Sequence, residues 1–127
     1  MRYLFLLYMD PERMRALPLR EQRELDVASA RHDEELARAG KLVAAEALQE
    51  PHTAICVRRR GGATSVTDGP FVETKEHLGG FMLVEARDRE EAVRLASLDR
   101  FLDLGTTFEI RPIHDYRAQL EREPDGR

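Results

Sequence analysis

Glu73, Lys75, Glu76 and His77 fall within five positions, beside Phe71 and just ahead of Gly79-Gly80 and an apolar run. Two carboxylates, an ammonium and an imidazole so close together can hold a polar molecule or move a proton, or can face water as an ordinary charged loop. They follow Asp68-Gly69-Pro70. Gly69 admits backbone angles closed to other residues, Pro70 sets its own φ and restricts its predecessor, and Asp68 can accept from nearby backbone N–H groups. The segment therefore opens on a stiff turn. Asp68, Phe71, Glu73 and Lys75 are candidates to line a pocket at the mouth of the next strand, and a solvated turn is the competing reading.

A second titratable group stands alone. Leu25, Ala28, His32, Leu36 and Ala39 recur at steps of three and four along one helical stripe, while Arg31, Asp33 and Glu34 are assigned to the outer faces. An inward histidine is either a core or subunit-contact residue or a proton carrier.

Other chemistries lack their residues. The histidines, His32, His52, His77 and His114, show no HxH, HExxH or HxxxH spacing, and Cys56 has no second cysteine to pair with, so no metal site is expected. Gly61-Gly62 has no following lysine and no helix start to cradle phosphate, and no Gly-x-Ser-x-Gly elbow exists, so no cofactor is expected and covalent hydrolysis is disfavoured. Cys56, within AICV, reads as a buried inert thiol. A net charge of -4 argues against nucleic acid, whose phosphates need a basic face. The exception, Arg58-Arg59-Arg60, precedes Gly61-Gly62 and reads as the solvated end of a hairpin. The longest apolar run, Tyr3 to Met9, is too short to cross a bilayer, and no charged leader precedes a signal-like segment; a cytoplasmic protein without membrane contact is expected.

The elements that must position these groups follow from periodicity. Tyr3 to Met9 is a strand apolar on both faces, ended by Asp10-Pro11. A connector with room for a helical turn leads to a helix from about Leu19 to Ala39, closed by Gly40. Strands are expected over Leu42 to Leu48, Thr53 to Arg58, Thr64 to Thr67 and Gly80 to Ala86. Asp88 and Glu91 open a second helix, a loop or short turn spans Asp99 to Gly105, and Thr106 to Ile113 forms the last strand. The domain is expected over residues 1–114, with residues 115–127 a polar tail in which Tyr116 and Leu120 could dock. This order predicts an α+β, ferredoxin-like antiparallel sheet with two helices on one face. Those helices leave the opposite face bare although the first strand and Gly80 to Ala86 carry large side chains on it. A homodimer that buries this face by symmetry is therefore expected.

The wording of the central stretch, TDGPFVETKEHLGGFMLVE, resembles the DGPF subgroup of the YCII-related family: a DGPF tetrapeptide, a glutamate, a Lys-Glu pair and a Gly-Gly-aromatic strand. MRYLFLLYMD is similar to that family's opening strand, ELARAGKLVAAEALQ to its helix exit and second strand, and GTTFEIRPI to its closing strand. The resemblance implies a dimeric α/β barrel. It also implies an acid-base pair, a helix histidine with an aspartate after the second helix. His32 matches the first position and Asp99 the second by its offset from Gly105, with Arg100 where proline is common. Because the subgroup varies at that aspartate, Asp68 is the alternative carboxylate.

Two functions remain. One is an isomerase- or lyase-type enzyme that moves a proton on a small polar or anionic molecule: His32 shuttles, Asp99 or Asp68 orients, Phe71 and Glu73 contact the substrate, and Lys75 or Arg111 neutralises its charge. The other is a non-catalytic dimer that binds a small molecule or a protein. For it, the resemblance implies a regulatory association with a sigma factor of the extracytoplasmic-function type.

Overall fold

The computed structural model describes residues 1–123. β1 (Arg2–Met9) ends at Asp10, whose carboxylate accepts from Glu12 N at 3.0 Å and caps α1 (Pro11–Arg15). After Pro18 the chain forms α2 (Leu19–Arg38), which turns Leu25 and Leu36 into the core. Gly40, at φ +72°, terminates it, and Lys41 N reaches back to Leu36 O at 2.9 Å. β2 (Leu42–Ala47) leads to a single 3-10 turn, Pro51–Thr53. β3 (Ile55–Arg60) and β4 (Ala63–Asp68) then pair as a hairpin through Gly61-Gly62, both at positive φ as a tight two-residue turn requires. β5 (His77–Glu85) returns to the main sheet. α3 (Arg89–Ser97) is capped by Asp88, which accepts from Glu91 N at 2.9 Å. A 3-10 turn, Arg100–Leu104, connects it to β6 (Thr107–Pro112), and α4 (Tyr116–Arg122) follows.

The main sheet has the order β2-β5-β1-β6 with every pair antiparallel. With the β3–β4 hairpin set aside, this is the ferredoxin-like arrangement expected from the sequence, an α+β fold in which the two halves interleave at the centre. Tyr3, Phe5 and Leu7 alternate along β1 and face Val84, Met82 and Gly80 of β5 in register. They pack with Leu36 of α2 and Ala92, Leu95 and Ala96 of α3 in one core, where Phe5 and Val84 are completely enclosed. Both long helices therefore cover the same face. The intervening residues, Leu4 and Leu6 on β1 with Leu83 and Phe81 opposite them, point to the other face and remain half-buried.

Several details differ from the sequence expectation. β5 begins at His77, three residues before Gly80, because its pairing with β1 continues through Leu78 and His77 beyond an irregularity between Leu7 and Tyr8 at which Gly79 has no partner on β1. Glu91, expected only as part of the cap of α3, is buried together with Leu95. Glu91 is tolerated there because it accepts from Lys41 Nζ at 2.9 Å and from Arg87 N at 3.2 Å. The tail forms α4, yet Tyr116 and Leu120 are both exposed rather than docked. Residues 124–127 of that tail lie outside the described residues. The described residues form an open sheet and not a closed barrel.

Candidate functional site

The helix α2 runs across the sheet, and a polar stripe flanks its apolar one: Asp26, Ser29 and Asp33 recur at steps of three and four. This stripe overlooks the Gly79-Gly80 segment of β5. A cavity of about 290 Å³ lies beside the two glycines, lined by apolar Leu7, Met9, Met82 and Phe101 together with Asp26, Ser29, Asp33 and Asp99. Gly80 can be nothing larger without cost, since a Cβ there would lie 3.0 Å from the backbone oxygen of Glu46.

Asp99 is 7% exposed, at the start of the 3-10 turn that follows α3. One carboxylate oxygen accepts from Phe101 N at 2.9 Å, which orients the group and leaves its other oxygen with no hydrogen bond among the described residues. Asp33 is half-buried on the facing helix. Burial raises its carboxyl above the ordinary range; the neighbouring His32 opposes the rise, and the negative charge of Asp99 adds to it. Two carboxylates from separate elements thus sense each other across one cavity with an imidazole close by. That combination suits proton transfer.

The family resemblance pairs His32 with Asp99, and helical spacing assigns Asp33 to an outer face. The structure corrects that assignment: α2 lies so that the Asp26–Ser29–Asp33 stripe borders the cavity. The signal was present as helical spacing, and it was masked because aspartates are ordinarily solvated. His32 itself is half-buried, is not among the residues lining the cavity, and makes no hydrogen bond among the described residues.

The other candidates lie elsewhere. Asp68 ends β4, exposed and paired with Ile55, at the base of the hairpin. Gly69 takes φ +103°, its N–H donates to Ala54 O at 2.8 Å, and Cys56 Sγ donates to its carbonyl at 3.3 Å, so the turn is stiff as expected. Phe71 is 76% exposed beneath the Arg58 guanidinium, 5.2 Å from the ring centre. It borders a shallow groove with Tyr8, Leu48, Pro70, Val72 and Leu78. Glu73 is exposed, and Lys75 faces Asp10 at 3.9 Å. Arg111 lies on β6 opposite Leu4, on the sheet face away from the helices. None of these five lines the carboxylate cavity. Among the described residues no three His, Cys, Asp or Glu side chains converge to hold a metal ion, and no helix is long and apolar enough to cross a membrane.

Fold and cavity define a small α+β protein of ferredoxin-like plan, with carboxylates between its first long helix and its sheet. The YCII-related domain matches residues 1–117, and the chain belongs to that family. It is also similar to an uncharacterised protein of Rhizobium meliloti (strain 1021), 38% identical over 80 residues. That match covers 62% of this chain and 64% of the relative.

Proposed function

We propose that this protein, as a member of the DGPF subgroup, is a homodimer that binds a small polar molecule in the Asp33–Asp99 cavity and moves a proton on it, in the manner of an isomerase or lyase. The observation that carries this reading is the approach of two carboxylates from α2 and the 3-10 turn, one of them with a raised pKa. Asp33 is suited to deliver a proton because it retains one to higher pH than an ordinary aspartate. Asp99, held by Phe101 N, orients the substrate, and His32 exchanges the proton with solvent. Asp68 does not border the cavity, which favours Asp99 as the working carboxylate.

The dimer is supported by the uncovered sheet face. Leu4, Leu6, Phe81 and Leu83 form a contiguous apolar patch on the two central strands, flanked by Glu109 and Arg111 of β6. A second copy related by a twofold axis would bury identical patches against each other. Phe81→Glu should convert the dimer to a monomer in light scattering at micromolar concentration; a wild-type monomer would end this part of the proposal.

The test of the site is a thermal-shift screen of small polar metabolites against the wild type and Asp99→Asn, whose amide oxygen can still cap Phe101 N. A true ligand at a hundred times its Kd stabilises the protein by about 2.7 kcal/mol. That gain should shrink in the variant, and equal gains would place the ligand elsewhere. A second reading is favoured by one observation, the exposure of Phe71 at 76% beside Val72 at 53% in an apolar groove. Such a surface fits a non-catalytic role in binding a protein, including a sigma factor. If Phe71→Ala abolishes binding and Asp99→Asn does not, this reading replaces the first.

A further inference from the structure

We infer that the β3–β4 hairpin carries a self-association surface, by which two copies of this chain pair face to face across Val57 and Val66, in addition to the sheet-face contact proposed above. The ribbon is a two-stranded sheet of its own, hydrogen-bonded to no strand of the main sheet. Its side chains alternate between two faces. Cys56 and Arg58 point to one, which the chain itself covers: Cys56 Sγ donates to Gly69 O, and the Arg58 guanidinium lies over the Phe71 ring. Ile55, Val57 and Arg59 point to the other, with Asp68, Val66 and Thr64 directly across from them. That face is bare, with Ile55, Val57 and Val66 exposed by 64%, 65% and 65%. A two-stranded ribbon is marginal in water by itself, and three β-branched apolar side chains on its open face call for a cover.

The charge pattern of this face selects a second copy as the cover. From base to tip its cross-strand pairs are Ile55 with Asp68, Val57 with Val66, and Arg59 with Thr64. The apolar pair is central, a carboxylate stands at the base and a guanidinium at the tip. A twofold axis running across the strands at the central pair sets Val57 and Val66 against the same residues of a second copy. It also turns the copies end for end. Arg59 of each chain then comes over the base of the other, beside the partner's Asp68, and two ion pairs close the apolar contact at both ends. An axis along the strands would instead gather both guanidiniums at one end and both carboxylates at the other, so the charges select the first arrangement. Arg59 and Asp68 are exposed, and among the described residues neither forms an ion pair within its own chain. None of Leu4, Leu6, Phe81 and Leu83 belongs to the ribbon, which makes this contact separate from the sheet-face dimer. At about 3.3 Å per residue and 4.8 Å between strands the ribbon face is roughly 20 Å by 10 Å, well below the roughly 800 Å² per partner of a stable complex, so the pairing assembles at high protein concentration.

Light scattering and amide NMR of the full chain, from micromolar to millimolar concentration, test the pairing. The mass found at micromolar concentration should double toward the millimolar range, with the amides of Ile55, Val57 and Val66 shifting alongside. Val57→Asp should leave the micromolar mass unchanged and abolish the doubling. Arg59→Glu sets carboxylate against carboxylate and Asp68→Lys sets cation against cation, so each should weaken the association by about tenfold. An equimolar mixture of these two variants should restore it, because each then meets the opposite charge on the other; a variant that had merely failed to fold would not be rescued by mixing. A wild-type mass constant through the millimolar range, growth that Val57→Asp leaves intact, or a mixture no tighter than its components overturns the inference. The micromolar mass reports the sheet-face dimer separately: a monomer there that doubles through the hairpin overturns that dimer and supports this pairing.

Discussion

Replacing Gly80 by alanine tests how tightly the cavity floor is built. A Cβ at Gly80 would stand 3.0 Å from Glu46 O and 3.5 Å from Ala47 Cα. Both belong to backbone that cannot easily retreat, because Ala47 and Glu46 pair with Gly80 and Phe81, and Leu48 N donates to Gly79 O at 2.9 Å. Forcing a methyl group into such a contact costs about 1–3 kcal/mol. Alanine also loses less backbone entropy than glycine on folding, which returns roughly 0.5–1 kcal/mol. The net expectation is a loss of about 0.5–2 kcal/mol, or roughly 2–8 °C in melting temperature for a chain of this length. Gly79→Ala is the control. Its Cβ would meet Met9 Sδ at 2.7 Å, a nominally worse contact, but the thioether is the flexible end of a side chain and can swing away. Its cost should stay within about 0.5 kcal/mol. Urea denaturation followed by circular dichroism, with m unchanged, gives both values. The reasoning is refuted if Gly80→Ala is as stable as the wild type, or if Gly79→Ala loses more than Gly80→Ala.

Asp33→Asn should stabilise the protein at neutral pH. The folded-state pKa of Asp33 is raised, so the folded chain binds more protons than the unfolded chain from about pH 3.9 up to that value, and stability falls as pH rises through this window. The variant's advantage should therefore be present at pH 7 and vanish below about pH 3.9; a wild type that is the more stable at pH 7 contradicts this. Glu91 has the opposite sign. Its hydrogen bonds from Lys41 and from the backbone of Arg87 depress its pKa despite burial, so its contribution is present at neutral pH and lost as acid protonates it. Glu91→Gln should lower the urea midpoint at pH 7, with the difference from wild type narrowing toward the depressed value. Gly69→Val should cost about 1–3 kcal/mol through backbone strain alone, since φ is +103° and a Cβ there meets nothing within 4 Å. An unchanged melting temperature would mean that the turn relaxes freely.

Much of this protein was settled by local chemistry. The apolar run Tyr3 to Met9, the stripe of Leu25 and Leu36, the stops at Gly40 and Asp10-Pro11, and the cap Asp88 are written in periods and residue types that act over a few positions. The ferredoxin-like order follows from them, because interleaving is the way two such helices cover one sheet face. Tertiary structure decided what lies together. Asp33 is separated from Asp99 by about half of the chain, and only the lie of α2 over Gly79-Gly80 brings the pair to one cavity and raises the Asp33 pKa. The same geometry parts Asp99 from Asp68, Phe71, Glu73 and Lys75: their segment leads into β5 at His77, two positions before Gly79, yet none of them borders the Asp33–Asp99 cavity. Glu91, read from sequence as part of a cap, is buried because Lys41, fifty positions away, arrives beside it. A helical period states which residues share a face, but which face meets a cavity depends on the rotation of the helix against the sheet, and long-range packing sets that rotation.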